Sequence, residues 1–204
     1  MNTDYDDGLA WRTVLRKLRL ISVAALILCG AGACHRQPPK DLLDEGVYLF
    51  NETRFEEAIP VLKKRLLDHP WDPGAHYYLG RSYLSIALHD PSKAYFVIAE
   101  GELKTALRFF IDGGRHSPIK RFSDVYFEVT CHLQISNVYL AQAAVLEGFG
   151  ATRESIDELL QKIENENRAI RALVPESAEV KQYEEEIANI RNRLGIAPAP
   201  TRTV

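Results

Sequence analysis

Cysteine is scarce in this chain, with three residues in 204, at positions 29, 34 and 131. So few thiols, two of them beside the N-terminal apolar stretch, exclude a disulfide framework. Long hydrophobic runs are missing too: Leu20 to Ala33 falls short of the ~20 residues that span a bilayer. There is no excess of positive charge, 25 Lys and Arg standing against 28 Asp and Glu for a net charge of −3, which argues against a nucleic-acid partner. Nowhere do apolar and polar residues alternate long enough to suggest a sheet. Chemistry-bearing patterns are lacking as well: no Gly-x-Ser-x-Gly elbow, phosphate-binding glycine loop, dinucleotide fingerprint or His-Glu-x-x-His occurs. The histidines at 35, 69, 76, 89, 116 and 132 include no pair at the four-residue spacing that turns two rings toward one metal. The chain is therefore expected to be no enzyme, with no metal and no cofactor.

What is present begins at the N-terminus. Arg12, Arg16, Lys17 and Arg19 precede the apolar segment Leu20 to Cys29, and Ala31-Gly32-Ala33 follows it. A basic cluster, a short apolar stretch and small residues are the three parts of an export signal. Small residues directly before Cys34 resemble the lipobox of bacterial lipoproteins, in which the cysteine becomes the lipidated first residue. The sequence departs from that pattern at Ala31, where leucine is usual. Ala31-Gly32-Ala33 also satisfies ordinary signal peptidase, so secretion without lipid and an uncleaved anchor stay open. The resemblance implies removal of residues 1–33, a lipid on Cys34 and a tether over 34–39. With His35 and not aspartate after the cysteine, it further implies the outer membrane, facing the periplasm; the alternative is a soluble periplasmic protein. Cys131 would then be the one cysteine left, and a small buried hydrophobe accounts for it within the apolar-periodic stretch Val125 to Leu146.

Beyond the tether nearly everything reads helical, with apolar residues at spacings of three and four. The pattern predicts helices at about 40–51, 54–68, 73–88, 91–112, 119–148, 153–173 and 176–194. Asp72-Pro73 and Asp90-Pro91 each set a capping carboxylate before a first-turn proline, and Thr53-x-x-Glu56 and Ser155-x-x-Glu158 fit the reciprocal capping box. Residues 195–204, with Pro198 and Pro200, have little to bury and are expected to form a disordered tail.

Self-similarity organises these helices. Leu42-x-x-Glu45-Gly46-x-x-Leu49 is followed by Ala58, Leu62 and Pro70, and His76-x-x-Leu79-Gly80-x-x-Tyr83 sets Gly80 34 residues after Gly46. This order resembles the tetratricopeptide repeat, a helix-turn-helix unit of about 34 residues. The glycines would let paired helices approach closely, Ala58 would be small at the crossing, and Pro70 would end the unit. In the second unit Ala106, Phe110 and Pro118 take the alanine, large-residue and proline roles, which implies lengthened helices with the turn at Asp90-Pro91. The third unit, roughly Phe122 to Pro175, is repeat-like in length but lacks the Leu-Gly pair. Val180, Tyr183, Ile187, Ile190 and Leu194 form one stripe on the last helix, suited to capping the array or to pairing with a second copy.

The expected fold is all-α: a right-handed superhelix of about three such hairpins over 40–194, with a C-terminal capping helix. Carried over residue by residue, the inner-face spacing of the family implies a peptide groove at Leu43, Val47, Phe50, Asn51, Tyr77, Arg81, Leu84 and Ser85. Asp44 stands where a carboxylate-clamping subtype would have asparagine, which argues against that ligand. The functional expectation is a non-catalytic, lipid-anchored scaffold binding envelope proteins or peptides. The alternative is a helical protein that acts by homo-oligomerisation through 176–194 in envelope assembly.

Overall fold

The computed structural model describes residues 41–91, 94–120 and 122–197. The expected signal peptide, Cys34, the tether and most of the expected tail lie outside the described residues. Among the described residues there are seven α-helices and no strand: α1 Leu42–Asn51, α2 Phe55–Asp68, α3 Pro73–His89, α4 Tyr95–Asp112, α5 Asp124–Gly148, α6 Arg153–Leu173 and α7 Ala178–Leu194. None is long and apolar enough to cross a membrane.

Local chemistry sets most of the boundaries. Asp41 accepts from Asp44 N–H at 2.8 Å to open α1, and Asp72 accepts from Gly74 and Ala75 N–H at 2.9 and 3.1 Å to open α3 behind Pro73. Ser123, Thr152 and Ser177 cap α5, α6 and α7 in the same way. Gly195 closes α7 at φ 65°, the left-handed turn that glycine adopts without a side-chain clash.

Four expected starts are corrected. Thr53 opens no capping box: it sits at φ 61°, and its hydroxyl donates to the Glu52 carbonyl at 2.6 Å. Asp90 terminates α3, donating its N–H to the Ile86 carbonyl, and α4 begins only at Tyr95. Ser155 is capped and does not cap, because Thr152 accepts its N–H at 3.3 Å. Similarly, α5 begins at Asp124 and not near 119: Ser123 caps it, and Ser117 N–H donates to Asp124 Oδ1 at 2.7 Å.

The helices pack as successive hairpins. α1 lies against α2 and α3, α3 also against α2, α4 and α5, α5 against α4 and α6, and α6 against α7. The glycines act at the crossings as expected. A Cβ on Gly46 would overlap the Leu62 side chain, coming within 2.6 Å of Cγ; one on Gly80 would come within 2.7 Å of Leu103 Cγ and 3.1 Å of the Ala99 carbonyl oxygen. Leu103 is thus the counterpart of Leu62, and Ala99, four residues earlier and fully buried, is the counterpart of Ala58. This corrects the expected register. Gly46 to Leu62 spans sixteen residues and Gly80 to Leu103 twenty-three, so the second hairpin gains seven, about two helical turns, before the crossing. Ala106 and Phe110 are buried further along α4, with the Phe110 ring 5.0 Å from Phe127 on α5. Pro118 stands against the start of α3, its Cβ 3.3 Å from where Gly74 would carry one.

α3 is covered on most sides, with Tyr77, Tyr78, Leu79 and Gly80 all buried in succession. At the other end α7 lays Val180, Tyr183, Ile187 and Ile190 onto the α5–α6 hairpin, where Val180 joins Val129 and Ile170. Tyr183 Oη lies 2.7 Å from Asn137 Oδ1, and Arg191, 7% exposed, pairs with Asp157 at 2.9 Å and with Glu164. Cys131 is fully buried, and burial pushes its thiol pKa well up. That environment suits a packing residue and not a nucleophile.

Candidate functional site

The face shared by α1 and α3 is built around one cation. Phe50 on α1 is wedged between Phe55, 5.3 Å away, and the edge of Tyr78, 5.4 Å away, and Tyr77 stands edge-on to Tyr78 at 5.3 Å. Over these rings lies the guanidinium of Arg81, 4.5 Å from the centre of Phe50, 5.3 Å from Tyr77 and 5.8 Å from Tyr78. Stacking on π faces attracts a cation and leaves its in-plane N–H donors free for an acceptor. Among the described residues no carboxylate forms an ion pair with Arg81. Its charge is felt nearby: burial raises the Tyr77 pKa, while Arg81 pulls the other way.

The expected groove residues separate into two groups. Phe50, Tyr77 and Leu84 are 7%, 1% and 4% exposed; they are core, not groove lining, because α3 is covered from both sides in so short an array. Leu43 is half-buried against the start of α3, its Cδ2 3.3 Å from the Cβ position of Gly74. Val47, Asn51, Arg81 and Ser85 remain half-buried, Val47 and Asn51 four apart on α1 and Arg81 and Ser85 four apart on α3. Each pair therefore shares a helix face. This remainder is smaller and more polar than the expected groove.

A second concavity was not legible in the sequence. A cleft of about 350 Å³ opens between α4, α5 and α6, lined by Lys104, Arg108, His132 and Glu166 with Leu107, Ile111, Asp112 and Ile135. His132 Nδ1 is 2.6 Å from Glu166 Oε2. Beside it Tyr139 donates to Glu100 at 2.9 Å, and Glu100 also meets Lys104 at 2.7 Å. Burial pushes the Tyr139 pKa up to about 12, and the Glu100 carboxylate holds the Lys104 proton against the opposing effect of burial. Lys104 and Glu166 thus each have a partner, while Arg108 lies over the Phe109 ring, 4.8 Å from its centre. Periodicity identified the buried faces of α4, α5 and α6, but which charged residues would meet across 34 or 39 positions has no local signal.

Among the described residues no group of three or more His, Cys, Asp or Glu is arranged to hold a metal ion. Comparison with known proteins gives no match to a family model, to a curated protein or to a solved structure.

Proposed function

We propose that the chain is a non-catalytic scaffold of tetratricopeptide type, lipid-anchored through Cys34. In this reading α1–α2, α3–α4 and α5–α6 stack as a right-handed superhelix closed by α7. A peptide or protein of the cell envelope would dock on the face of α1 and α3. The observation that carries it is the repeated glycine seat: Gly46 on Leu62 and Gly80 on Leu103 give two hairpins the same crossing. The contacts of α1 with α3 and of α3 with α5 support a common inner layer.

Arg81 is the centre of the proposed docking face. Arginine held on aromatic rings offers directed donors at little further cost in side-chain order, and such residues dominate interface energies. Membrane tethering adds high local concentration, so each contact can be modest. The apolar stripe that self-association through 176–194 would need is already buried within one chain, which favours the capping role of α7.

Photo-crosslinking residues placed singly at Asn51 and Ser85 of the full chain, in its own membranes, test the docking face. The expected result is the same discrete adduct from both positions, lost when Arg81→Gln is added while helicity is unchanged. No adduct from either position, with a strong one from Lys162, whose Nζ lies 5.3 Å from the centre of the Tyr139 ring beside the second cleft, would move the partner there. Cys34→Ala is expected to shift the chain from the membrane to the soluble fraction.

A further inference from the structure

The described part of the chain starts at one end of the helix array, and Arg65 fixes which surface lies beside that start. Its Nη1 is 3.9 Å from Asp41 Oδ2 and its Nε is 2.8 Å from Asp72 Oδ2. One arginine side chain thus joins the residue before α1 to the residue after Trp71. Trp71 and Leu67 are the most solvent-open large apolar side chains of that end, 72% and 82% exposed. The same end continues through Leu43, Gly74 and Pro118, which converge, to the first turn of α5, where Val125 and Tyr126 are also exposed. Apolar side chains stand open at the opposite end too, Phe149 among them, so exposure alone does not choose between the ends.

The length of the tether chooses. Only six residues separate Cys34 from Asp41, which at ~3.3–3.6 Å per residue reach at most about 25 Å. A lipid on Cys34 therefore holds the Asp41 end close to the bilayer surface. Tryptophan has the amphipathic ring that settles at headgroup level, and tyrosine shares this property. Lys120 is exposed at this end, where a lipid phosphate would be, whereas Arg115 is already paired with Glu128 at 3.2 Å. We propose that the bilayer surface is what covers this face: Trp71 and Leu67 enter the interfacial layer, with Val125 and Tyr126 beside them. The array then stands on its α2–α3 turn, and the Arg81 face is turned sideways to the membrane. This rests on the lipid-anchor reading.

Trp71 supplies its own probe. The chain has two tryptophans, and Trp11 lies within the expected leader, so residues 34–204 carry Trp71 alone. The test attaches residues 34–204, with Cys34→Ser and an N-terminal hexahistidine, to vesicles containing nickel-chelating lipid, with or without brominated acyl chains. The expected result is a blue-shifted Trp71 emission that brominated lipid quenches at least twofold, with Leu67→Glu removing the quenching while attachment persists. Emission of the attached protein that is the same with and without bromine would overturn the proposal. Mass spectrometry of the full chain from membranes reads the lipid separately. Quenching without lipid on Cys34 would sink the anchor reading and keep this face; lipid without quenching would do the reverse.

Discussion

His76 bridges two neighbours of its helix: its Nδ1 lies 2.6 Å from Glu102 Oε2 on α4, and its Nε2 lies 3.0 Å from the Pro70 carbonyl in the α2–α3 turn. A carbonyl and a carboxylate both accept, so the two bonds are made together only when both ring nitrogens carry a proton, as in the imidazolium. Burial opposes that charge, but the bond to Glu102, the Pro70 carbonyl and the field of Asp72 outweigh it and raise the His76 pKa. The slot where the repeat pattern wants a large side chain therefore holds a charged clip between hairpins.

A raised folded-state pKa sets the sign of a pH effect. The stabilisation is complete below the unfolded value of about 6.5 and is lost as pH rises through the higher folded value. The gap in thermal midpoint between the native chain and His76→Gln should be widest below about pH 6 and narrow as the pH rises through the folded value. Glu102→Gln should show the same trend. A gap that widens with rising pH would remove the ion pair from the account.

The two glycine seats differ in what they press on. A methyl at Gly46 meets only the Leu62 side chain, whereas one at Gly80 also meets the backbone of Ala99 and Leu103 at 3.1 Å. Gly46→Ala should cost about 1–2 kcal/mol and Gly80→Ala about 3 kcal/mol, net of the ~1 kcal/mol by which alanine favours a helix. Adding Leu62→Ala should relieve the clash at Gly46. Adding Leu103→Ala should leave Gly80→Ala unrescued, since the backbone contacts stay. Urea midpoints of the four variants decide, and equal rescue at both sites would refute the close approach at Gly80.

Much of this fold was legible in the chain. Spacings of three and four located all seven helices, and Asp72-Pro73 marked the start of α3, because those signals act within one turn. The register of the second hairpin was not legible. Ala99 and Ala106 are both small, both fully buried and seven apart on one face, so the sequence offers two equivalent seats for Gly80. Only the length of the turn before α4 selects Ala99. The groove failed for a related reason: inner-face spacing says which side of a helix turns inward, and not whether a neighbour already covers it, as happens to Tyr77 and Leu84.

Arg191 ties α7 to α6 through Asp157 and Glu164, with its own side chain 8% exposed and theirs 22% and 30%. Removing the cation leaves two partly exposed carboxylates, which limits the loss. Arg191→Ala should cost about 2–3 kcal/mol, below the range for a fully buried pair, and Arg191→Met less, because its stem still packs. The melting temperature should fall in both without any change in oligomeric size. A change in size would instead give α7 a role between chains.

Asn167 sits on α6 at 4% exposure, and neither its Nδ2 nor its Oδ1 has a hydrogen-bond partner among the described residues. A buried amide left unpaired costs about 1–3 kcal/mol, while leucine, similarly branched though larger, needs no partner. Asn167→Leu should therefore raise the urea midpoint at an unchanged slope, and Asn167→Ala, which opens a cavity, should gain less or lose. If both the leucine variant and the smaller Asn167→Val are less stable than the native chain, the amide is bonded in solution. Its position between α5 and α6 would then have been kept polar for pairing specificity and not tolerated at a loss.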